Sequence, residues 1–301
     1  MDQSIGSILV PTDGSDGSEP GERRGVDLAA TVGADLHVVS VVDTRELSPS
    51  LSQLDADPKT KQKQLLEEKA ETAVDDVAQL ARNHLSGRIT TAVERGIPFR
   101  SITDYVETND IDMIVMGTHG RTGLERVLLG SVAEKTLRTA SVPVVLVPPS
   151  EDVVEVGDIE YENLLLPTDG SEGAEFAIDW GLYLAREYDA AVHTVYSVDT
   201  GRFVGGTEMA DIHDALERAG QAALETVRER AQDAGVSANA SLGTGPAARM
   251  IRSYSQEHDI DLIVMGTHGR SGIERYLIGS VTEAVVRHSD LPVCCVPMTE
   301  R

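Results

Sequence analysis

One stretch of twenty residues occurs twice in this chain and constrains its fold more than any other feature. The sequence from Asp112 to Ser131, DMIVMGTHGRTGLERVLLGS, returns from Asp261 to Ser280 as DLIVMGTHGRSGIERYLIGS. Each copy starts as an apolar strand, turns at a glycine and reaches a Gly-Ser pair just before a helical pattern. Because the copies lie half a chain apart, the sequence predicts two domains of one fold.

The glycine spacing in each copy predicts an anion-binding loop, which we call the cradle (residues 117–131 and 266–280). Gly117 and Gly120 allow a ligand to approach main-chain N–H groups closely. Gly130 and Ser131 precede a helix, where unpaired N–H groups and the helix dipole favour a phosphate. Ser131 to Glu134 also fits an ordinary S-x-x-E capping box, as does Ser280 to Glu283, and a capping serine needs no ligand.

Strand and helix patterns alternate along both halves of the chain. This order predicts an α/β fold with two tandem open parallel five-stranded sheets, helices on both faces and a Rossmann-like arrangement. A first domain is expected over residues 1–148, an acidic linker over 149–160 and a second domain over 161–301.

Charge and cysteine content limit the classes of partner. The 301 residues carry a formal net charge of −24, which argues against nucleic acid or an anionic membrane surface. This acidic, lysine-poor composition suggests a high-salt cytoplasm, with an ordinary acidic protein as the alternative. No signal-peptide pattern or membrane-spanning run is present, so we expect a cytoplasmic protein. The adjacent Cys294 and Cys295 lie in a strand pattern and are expected to be buried thiols.

In an open α/β sheet, ligands bind beyond the carboxyl ends of the strands. Pro11-Thr12-Asp13, Val41 and Gly117 all follow or end predicted strands. A carboxylate at Asp13 could accept hydrogen bonds from ribose hydroxyls or help to hold a divalent cation. The alternative is a turn or capping residue. Asp169 lies at the matching position in the second half, so a ligand-binding role and a turn role for Asp13 are equally consistent with the sequence.

Both halves resemble the universal stress protein family in its ATP-binding branch. The matching residues are VPTDGS at Val10 to Ser15, LPTDGS at Leu166 to Ser171, and G-x2-G-x9-G-S in both cradles. The resemblance covers nearly the whole chain and implies a sheet of the adenine nucleotide alpha hydrolase type. It also implies ATP or another adenine nucleotide as ligand, bound with Mg.

The resemblance implies a residue-by-residue placement of that ligand. In the first domain, the adenosine side is lined by Pro11, Thr12 and Asp13, and the adenine meets the backbone of Val41. The pocket is closed by Met116 and Gly117. The phosphates are held by Gly120, Gly130, Ser131 and Val132. In the second domain, the same roles fall to Pro167, Thr168, Asp169, Val198, Met265, Gly266, Gly269, Gly279, Ser280 and Val281. His119, His268, Arg121 and Arg270 also lie in the cradles, where phosphate contact and surface placement are both open.

Members of this family commonly pair through their fifth strands. The resemblance therefore implies that Val142 to Val147 and Leu291 to Val296 pair within one chain as a pseudo-dimer, which would hide two apolar edges. A homodimer through the long helices is a further option.

Three functions fit the sequence. The favoured one is a nucleotide-binding stress sensor or regulator. The second is an enzyme with at most slow metal-dependent ATP hydrolysis, because the chain has neither G-x4-G-K-[ST] nor S-G-G-x-D. The third is a chaperone-like partner-binding protein in which a bound nucleotide is structural.

Overall fold

The computed structural model describes residues 4–45, 56–120, 129–150, 154–199, 209–269 and 278–298. The chain separates into two compact units, Ile5–Ile159 and Glu160–Arg301, with Met1–Ser4 grouped with the second. Each unit is described by itself below.

The first unit alternates strands and helices throughout. Its elements are β1 (Ser7–Pro11), α1 (Glu19–Val32), β2 (Asp35–Asp43), α2 (Ala56–Arg82), β3 (Ile89–Gly96), α3 (Pro98–Thr108), β4 (Met113–Gly117), α4 (Ser131–Thr139) and β5 (Val144–Val147). Gly33 ends α1 in the left-handed conformation, as its position after the helical pattern predicts. The long helix α2 starts five residues before the predicted Lys61, since its first turn carries little apolar periodicity.

The strands of the first unit form a parallel sheet in the order β3-β2-β1-β4-β5. Right-handed crossovers place α1 and α2 on one face and α3 and α4 on the other. In agreement, α1 contacts α2 and α3 contacts α4. The order reverses between β1 and β4, so the residues after these two strands face one crevice.

The second unit repeats this arrangement. Its elements are β6 (Asn163–Pro167), α5 (Glu172–Tyr188), β7 (Ala191–Val198), α6 (Met209–Asp233), β8 (Ala238–Thr244), α7 (Ala247–Glu257), β9 (Leu262–Gly266), α8 (Ser280–His288) and β10 (Val293–Val296). All pairings are parallel, in the order β10-β9-β6-β7-β8. The predicted α/β fold, with two tandem parallel five-stranded sheets, is confirmed.

Central strands carry the core of each unit. Ile8, Leu9, Ile114 and Leu165 are completely enclosed, as a sheet covered on both faces requires. Cys294 and Cys295 lie in β10, are buried and form no disulfide. Burial raises the pKa of Cys294 to about 12, so this thiol is unreactive at neutral pH.

Part of the segment predicted as a linker packs on the first unit. Glu155 forms an ion pair with Arg23 of α1 at 2.8 Å. The backbone N–H of Gly157 donates to the buried carboxylate of Asp27, also on α1, at 3.0 Å. Residues 154–159 therefore have defined contacts. None of the helices in the described part of the chain is long and apolar enough to cross a membrane.

Candidate functional site

A cavity of about 330 Å³ lies beyond the carboxyl ends of the strands in the first unit. All ten residues that the sequence assigns to the first site line it: Pro11, Thr12, Asp13, Val41, Met116, Gly117, Gly120, Gly130, Ser131 and Val132. They come from three separate stretches, which meet because β2, β1 and β4 are neighbours in the sheet.

The turn after β1 is held by its own polar side chains. Oδ1 of Asp13 accepts from the backbone N–H of Ser15 at 3.1 Å and from its hydroxyl at 2.5 Å. Thr12 accepts from the N–H of Gly14 at 3.0 Å. Asp13 is thus a turn residue, as one alternative proposed, but its carboxylate also lines the cavity, so the two roles coexist.

Close packing explains the glycine at position 117. A β-carbon there would lie 2.2 Å from the carbonyl oxygen of Gly17, in the turn before α1. The loop after β1 therefore packs directly on the end of β4. The sequence interpretation gave Gly117 a role in ligand approach, whereas its contact is with backbone of the same unit.

Gly120 is different, because the group beside it is a side chain of the cavity wall. A β-carbon at Gly120 would lie 2.7 Å from Oδ2 of Asp13. The N–H of Gly130 donates to the carbonyl of Thr118 at 2.7 Å, which closes the two described ends of the cradle on each other. A side chain at position 120 would therefore collide with the carboxylate of Asp13 and displace it.

The helix after the cradle begins differently from a capping box. Gly130 is the N-cap of α4 and makes no side-chain capping bond, so Ser131 is the first helical residue. Glu134 pairs with Arg138 at 3.1 Å instead of reaching back to the N-cap. The same holds for Gly279, Ser280 and the Glu283–Arg287 pair of α8. The capping-box alternative is therefore wrong in both units.

His119 lies in the wall of the cavity and is partly buried. Its Nδ1 lies 2.8 Å from the hydroxyl of Thr118. Its Nε2 is buried and has no hydrogen-bond partner among the described residues. A buried ring nitrogen without a partner is costly, which is consistent with a polar ligand atom at this position. Arg121 and Arg270 lie outside the described residues.

Several residues of the cavity were not predicted. Leu66 and Ala70 of α2, with Pro98 and Ile102 of α3, supply an apolar side. The apolar periodicity of α2 and α3 predicts that each helix has a buried face. It does not predict that these two faces meet at the cavity.

A charged pair also lies at the cavity. Arg45 donates to both carboxylate oxygens of Asp43, at 2.9 and 2.6 Å, and its hydrogen bonds lower the pKa of Asp43. Both residues line the cavity, and the Arg45 side chain is 53% exposed. No sequence motif marked this pair, because Arg45 lies beyond the end of the strand pattern.

The second unit builds the same polar frame. Asp169 accepts from the N–H and the hydroxyl of Ser171, and Thr168 accepts from the N–H of Gly170. A β-carbon at Gly269 would lie 2.7 Å from Oδ2 of Asp169, the same distance as in the first unit. A β-carbon at Gly266 would lie 2.6 Å from the carbonyl oxygen of Gly173, and Gly279 donates to Thr267 at 2.7 Å.

The remaining second-site residues lie at the matching strand and helix ends. Pro167 ends β6, Met265 is the buried residue before the end of β9, and Val281 follows Ser280 in the first turn of α8. Val198 ends β7, but the strand register corrects its match to Val41. Pro11 pairs with Val39 and Pro167 with Val195, so Ser197 corresponds to Val41 and Val198 to Val42. A shift of one residue along a strand reverses the side-chain face, which makes this correction significant.

Comparison with known proteins agrees with the duplicated architecture. A profile described as "Universal stress protein family" matches residues 5–148 and again residues 160–297. The chain belongs to the universal stress protein family. It contains two universal stress protein domains in tandem.

Individual relatives match one or both domains. A universal stress protein of Methanocaldococcus jannaschii is 35% identical over 147 residues, which cover 48% of this chain and 86% of that protein. A universal stress protein of Mycobacterium bovis is 28% identical over 232 residues, covering 75% of this chain and 76% of the relative. The solved universal stress protein from Archaeoglobus fulgidus has a TM-score of 0.73 and 23% identity, covering 97% of this chain and 98% of that one. That likeness concerns the fold.

The cavity of the first universal stress protein domain brings polar and apolar groups together. Within the described ranges, no group of three His, Cys, Asp or Glu side chains could hold a metal ion. The cavity combines an apolar side, the N-terminus of α4 and a glycine that lets the cradle backbone lie directly beside Asp13. Its volume is at the lower end of the range of about 300–1,000 Å³ for small-molecule pockets.

Proposed function

We propose that this protein binds an adenine nucleotide, ATP or a related one, and acts as a stress-response sensor or regulator. The observation that carries the proposal is the meeting of all ten predicted first-site residues in one cavity at the sheet's reversal point. The family motifs in the sequence predict these residues without reference to their positions in space. Their convergence is what a working nucleotide site requires.

The chemistry of the cavity fits the parts of a nucleotide. The apolar side chains Leu66, Ala70 and Ile102 would cover the adenine ring. The carboxylate of Asp13 would accept hydrogen bonds from ribose hydroxyls. Backbone N–H groups at the start of α4, with the helix dipole, would hold phosphate oxygens beside Ser131.

A divalent cation would have to be held mainly by the nucleotide. Since no three-carboxylate or histidine cluster is present among the described residues, Mg²⁺ would bind through phosphate oxygens and water. Such an ion would neutralise phosphate charge. No lysine is among the described residues that line the cavity, so these residues support binding better than fast phosphoryl transfer.

The direct test is the nucleotide content of the purified protein. The full chain is purified in high salt and denatured, and the released nucleotide is identified and counted. We expect about two adenine nucleotides per chain, because the polar frame is present in both domains. Calorimetry with added Mg-ATP covers the case in which purification removes the ligand.

The alternatives give different results. Absence of released nucleotide together with no calorimetric binding would overturn the proposal. Steady-state hydrolysis above about 1 s⁻¹, within the usual range of enzymes, would favour the enzyme alternative. Unchanged partner binding by a nucleotide-free Gly120→Val and Gly269→Val double variant would favour the chaperone-like alternative.

A further inference from the structure

A partly buried carboxyl group lies directly behind the wall of the first cavity. Oε1 of Glu22, on α1, lies 2.5 Å from the hydroxyl oxygen of Thr12 and 2.7 Å from that of Ser18. Thr12 and Ser18 both line the cavity, whereas Glu22 does not. The carboxyl group is therefore one hydrogen bond away from side chains that line the cavity.

The helix turn that carries Glu22 also packs against the cradle. A β-carbon at Gly21, the residue before it, would lie 2.3 Å from the backbone nitrogen of Gly117. A β-carbon at Gly17 would lie 2.9 Å from the carbonyl oxygen of His119. The start of α1 and the turn before it are thus in direct contact with the start of the cradle.

Two hydroxyl groups of the cavity wall hold the carboxyl group of Glu22. Thr12 and Ser18 both donate to its Oε1. The hydroxyl of Ser18 also lies 2.8 Å from the carbonyl of Ser15, which already accepts the backbone N–H of Ser18 at 3.0 Å. A ligand that accepts a hydrogen bond from either hydroxyl would take it away from the carboxylate and so favour the protonated form of Glu22.

The surrounding charges act in the same direction. Burial is the main cause that raises the pKa of Glu22 above its ordinary 4.5, partly opposed by the bonds from Thr12 and Ser18. The charged groups that act on it are Asp13, on the turn after β1, and Glu19, on α1, and both raise the pKa further. A bound phosphate would add another negative charge on the cavity side.

The second domain lacks this group. The residues that match Thr12, Ser18 and Glu22 are Thr168, Ala174 and Ile178. Ile178 is buried at 2% exposure and cannot take up a proton. Thr168 keeps its bond from Gly170, so the turn itself is the same. The two domains thus share the polar frame of the turn, and only the first has a carboxyl group at this position.

We propose that Glu22 couples nucleotide binding in the first domain to the uptake of a proton, and that the second domain binds without this coupling. The proposal rests on the proposed function. Its physical basis is linkage: a ligand that favours the protonated form of a group binds with proton uptake. Affinity at the first site then falls as the pH rises above the pKa of Glu22 in the free protein. The two sites respond differently to intracellular pH.

The test is calorimetry of ADP binding to the full chain carrying Gly269→Val, which confines binding to the first site. Titrations in two buffers of different ionisation enthalpy, at the same pH, give the number of protons taken up. The same measurement is made with Glu22→Gln, a nearly isosteric residue that cannot titrate. The difference between the two proteins cancels the protons that ADP itself exchanges.

We expect net uptake of up to one proton per ADP from Glu22, and none from Glu22→Gln. The affinity of the parent should fall more steeply with rising pH than that of the variant, by up to about tenfold per pH unit. Glu19→Gln is the matched control on the same helix. Its side chain is 46% exposed and paired with Arg23, so this variant should retain proton uptake.

One result would refute the role of Glu22 alone, and another would refute the proposed function. Equal proton uptake by the parent and Glu22→Gln, with ADP bound by both, would refute the role of Glu22 and leave the proposed function intact. Failure of both ADP and Mg-ATP to bind to either protein and to the wild-type chain would refute the proposed function, and the role of Glu22 with it. If Glu22→Gln does not fold, Glu22→Ile, which copies the second domain, makes the same comparison.

Discussion

Gly120 lies so close to Asp13 that a β-carbon on the glycine would come within 2.7 Å of Oδ2 of the carboxylate. The second domain repeats this distance between Gly269 and Asp169. In both cases the neighbour is the end of a side chain and not backbone, so a larger residue would fill the cavity without forcing the sheet apart. These two glycines are the best positions at which to close each site separately.

Gly120→Val is therefore expected to remove nucleotide binding from the first domain, and Gly269→Val from the second. Each single variant should release about one nucleotide per chain in place of about two, and the double variant none. Circular dichroism checks that the fold is retained. Full stoichiometry in a folded double variant would place the nucleotide elsewhere on the protein.

Gly117→Ala should destabilise the first domain much more than Gly120→Ala. The new methyl group at position 117 would meet the carbonyl oxygen of Gly17 at 2.2 Å, and backbone cannot move aside as a side chain can. We expect a loss of about 1–3 kcal/mol or more in the free energy of unfolding, against less than about 1 kcal/mol for Gly120→Ala. Urea denaturation measures both, and equal losses would contradict the packing role of Gly117.

Ser131→Ala should weaken nucleotide binding while leaving stability within about 0.5 kcal/mol, because Ser131 is not the N-cap of α4. Ser171 provides the contrast: it caps α5 and accepts from the N–H of Ala174 at 3.3 Å. Ser171→Ala should cost about 1 kcal/mol. Denaturation measures the loss of stability of each variant, and calorimetry measures the loss of nucleotide binding. If Ser131→Ala loses as much stability as Ser171→Ala, Ser131 is a capping residue after all.

Acid should destabilise the second domain through His193. Its Nδ1 lies 3.0 Å from the hydroxyl of Tyr254, and its pKa is lowered by burial and by the nearby His258. A histidine with a lowered pKa binds its proton more readily in the unfolded chain, so stability falls as the pH drops below about 6.5.

His258→Asn, which copies Asn109 of the first domain, should reduce this acid sensitivity, because it removes one of the two causes of the lowered pKa. Melting temperatures at pH 7.5 and 5.5 measure the effect, with His213→Asn as a control at a partly exposed histidine of α6. An unchanged difference between the two pH values would show that burial alone governs His193.

Local sequence is sufficient to predict most of the elements, whereas the first set of cavity residues follows from the family resemblance. Apolar runs of four to five residues, such as Val144–Val147, identified buried parallel strands, and the glycine spacing located the cradles. Errors arose where one residue matters. By its place at the strand end Val198 is the apparent match of Val41, but the strand register makes Ser197 the equivalent. The residues at both strand ends are apolar or small, so their chemistry does not reveal a shift of one position. The pattern S-x-x-E makes Ser131 a candidate N-cap on four residues alone. The helix begins at Ser131 itself, so the N-cap is the residue before it, Gly130.

Periodicity and turn residues act over short distances and occur twice, so the amino-acid sequence alone predicts two copies of one parallel α/β domain. The set of side chains that meet around the cavity depends on how the folded elements pack. The apolar contribution of Leu66 and Ile102, the Arg45–Asp43 pair and the carboxyl group of Glu22 behind Thr12 all depend on contacts between elements that the chain brings together through its crossovers. The burial of these side chains and their hydrogen bonds arise from those contacts, which no local sequence pattern predicts.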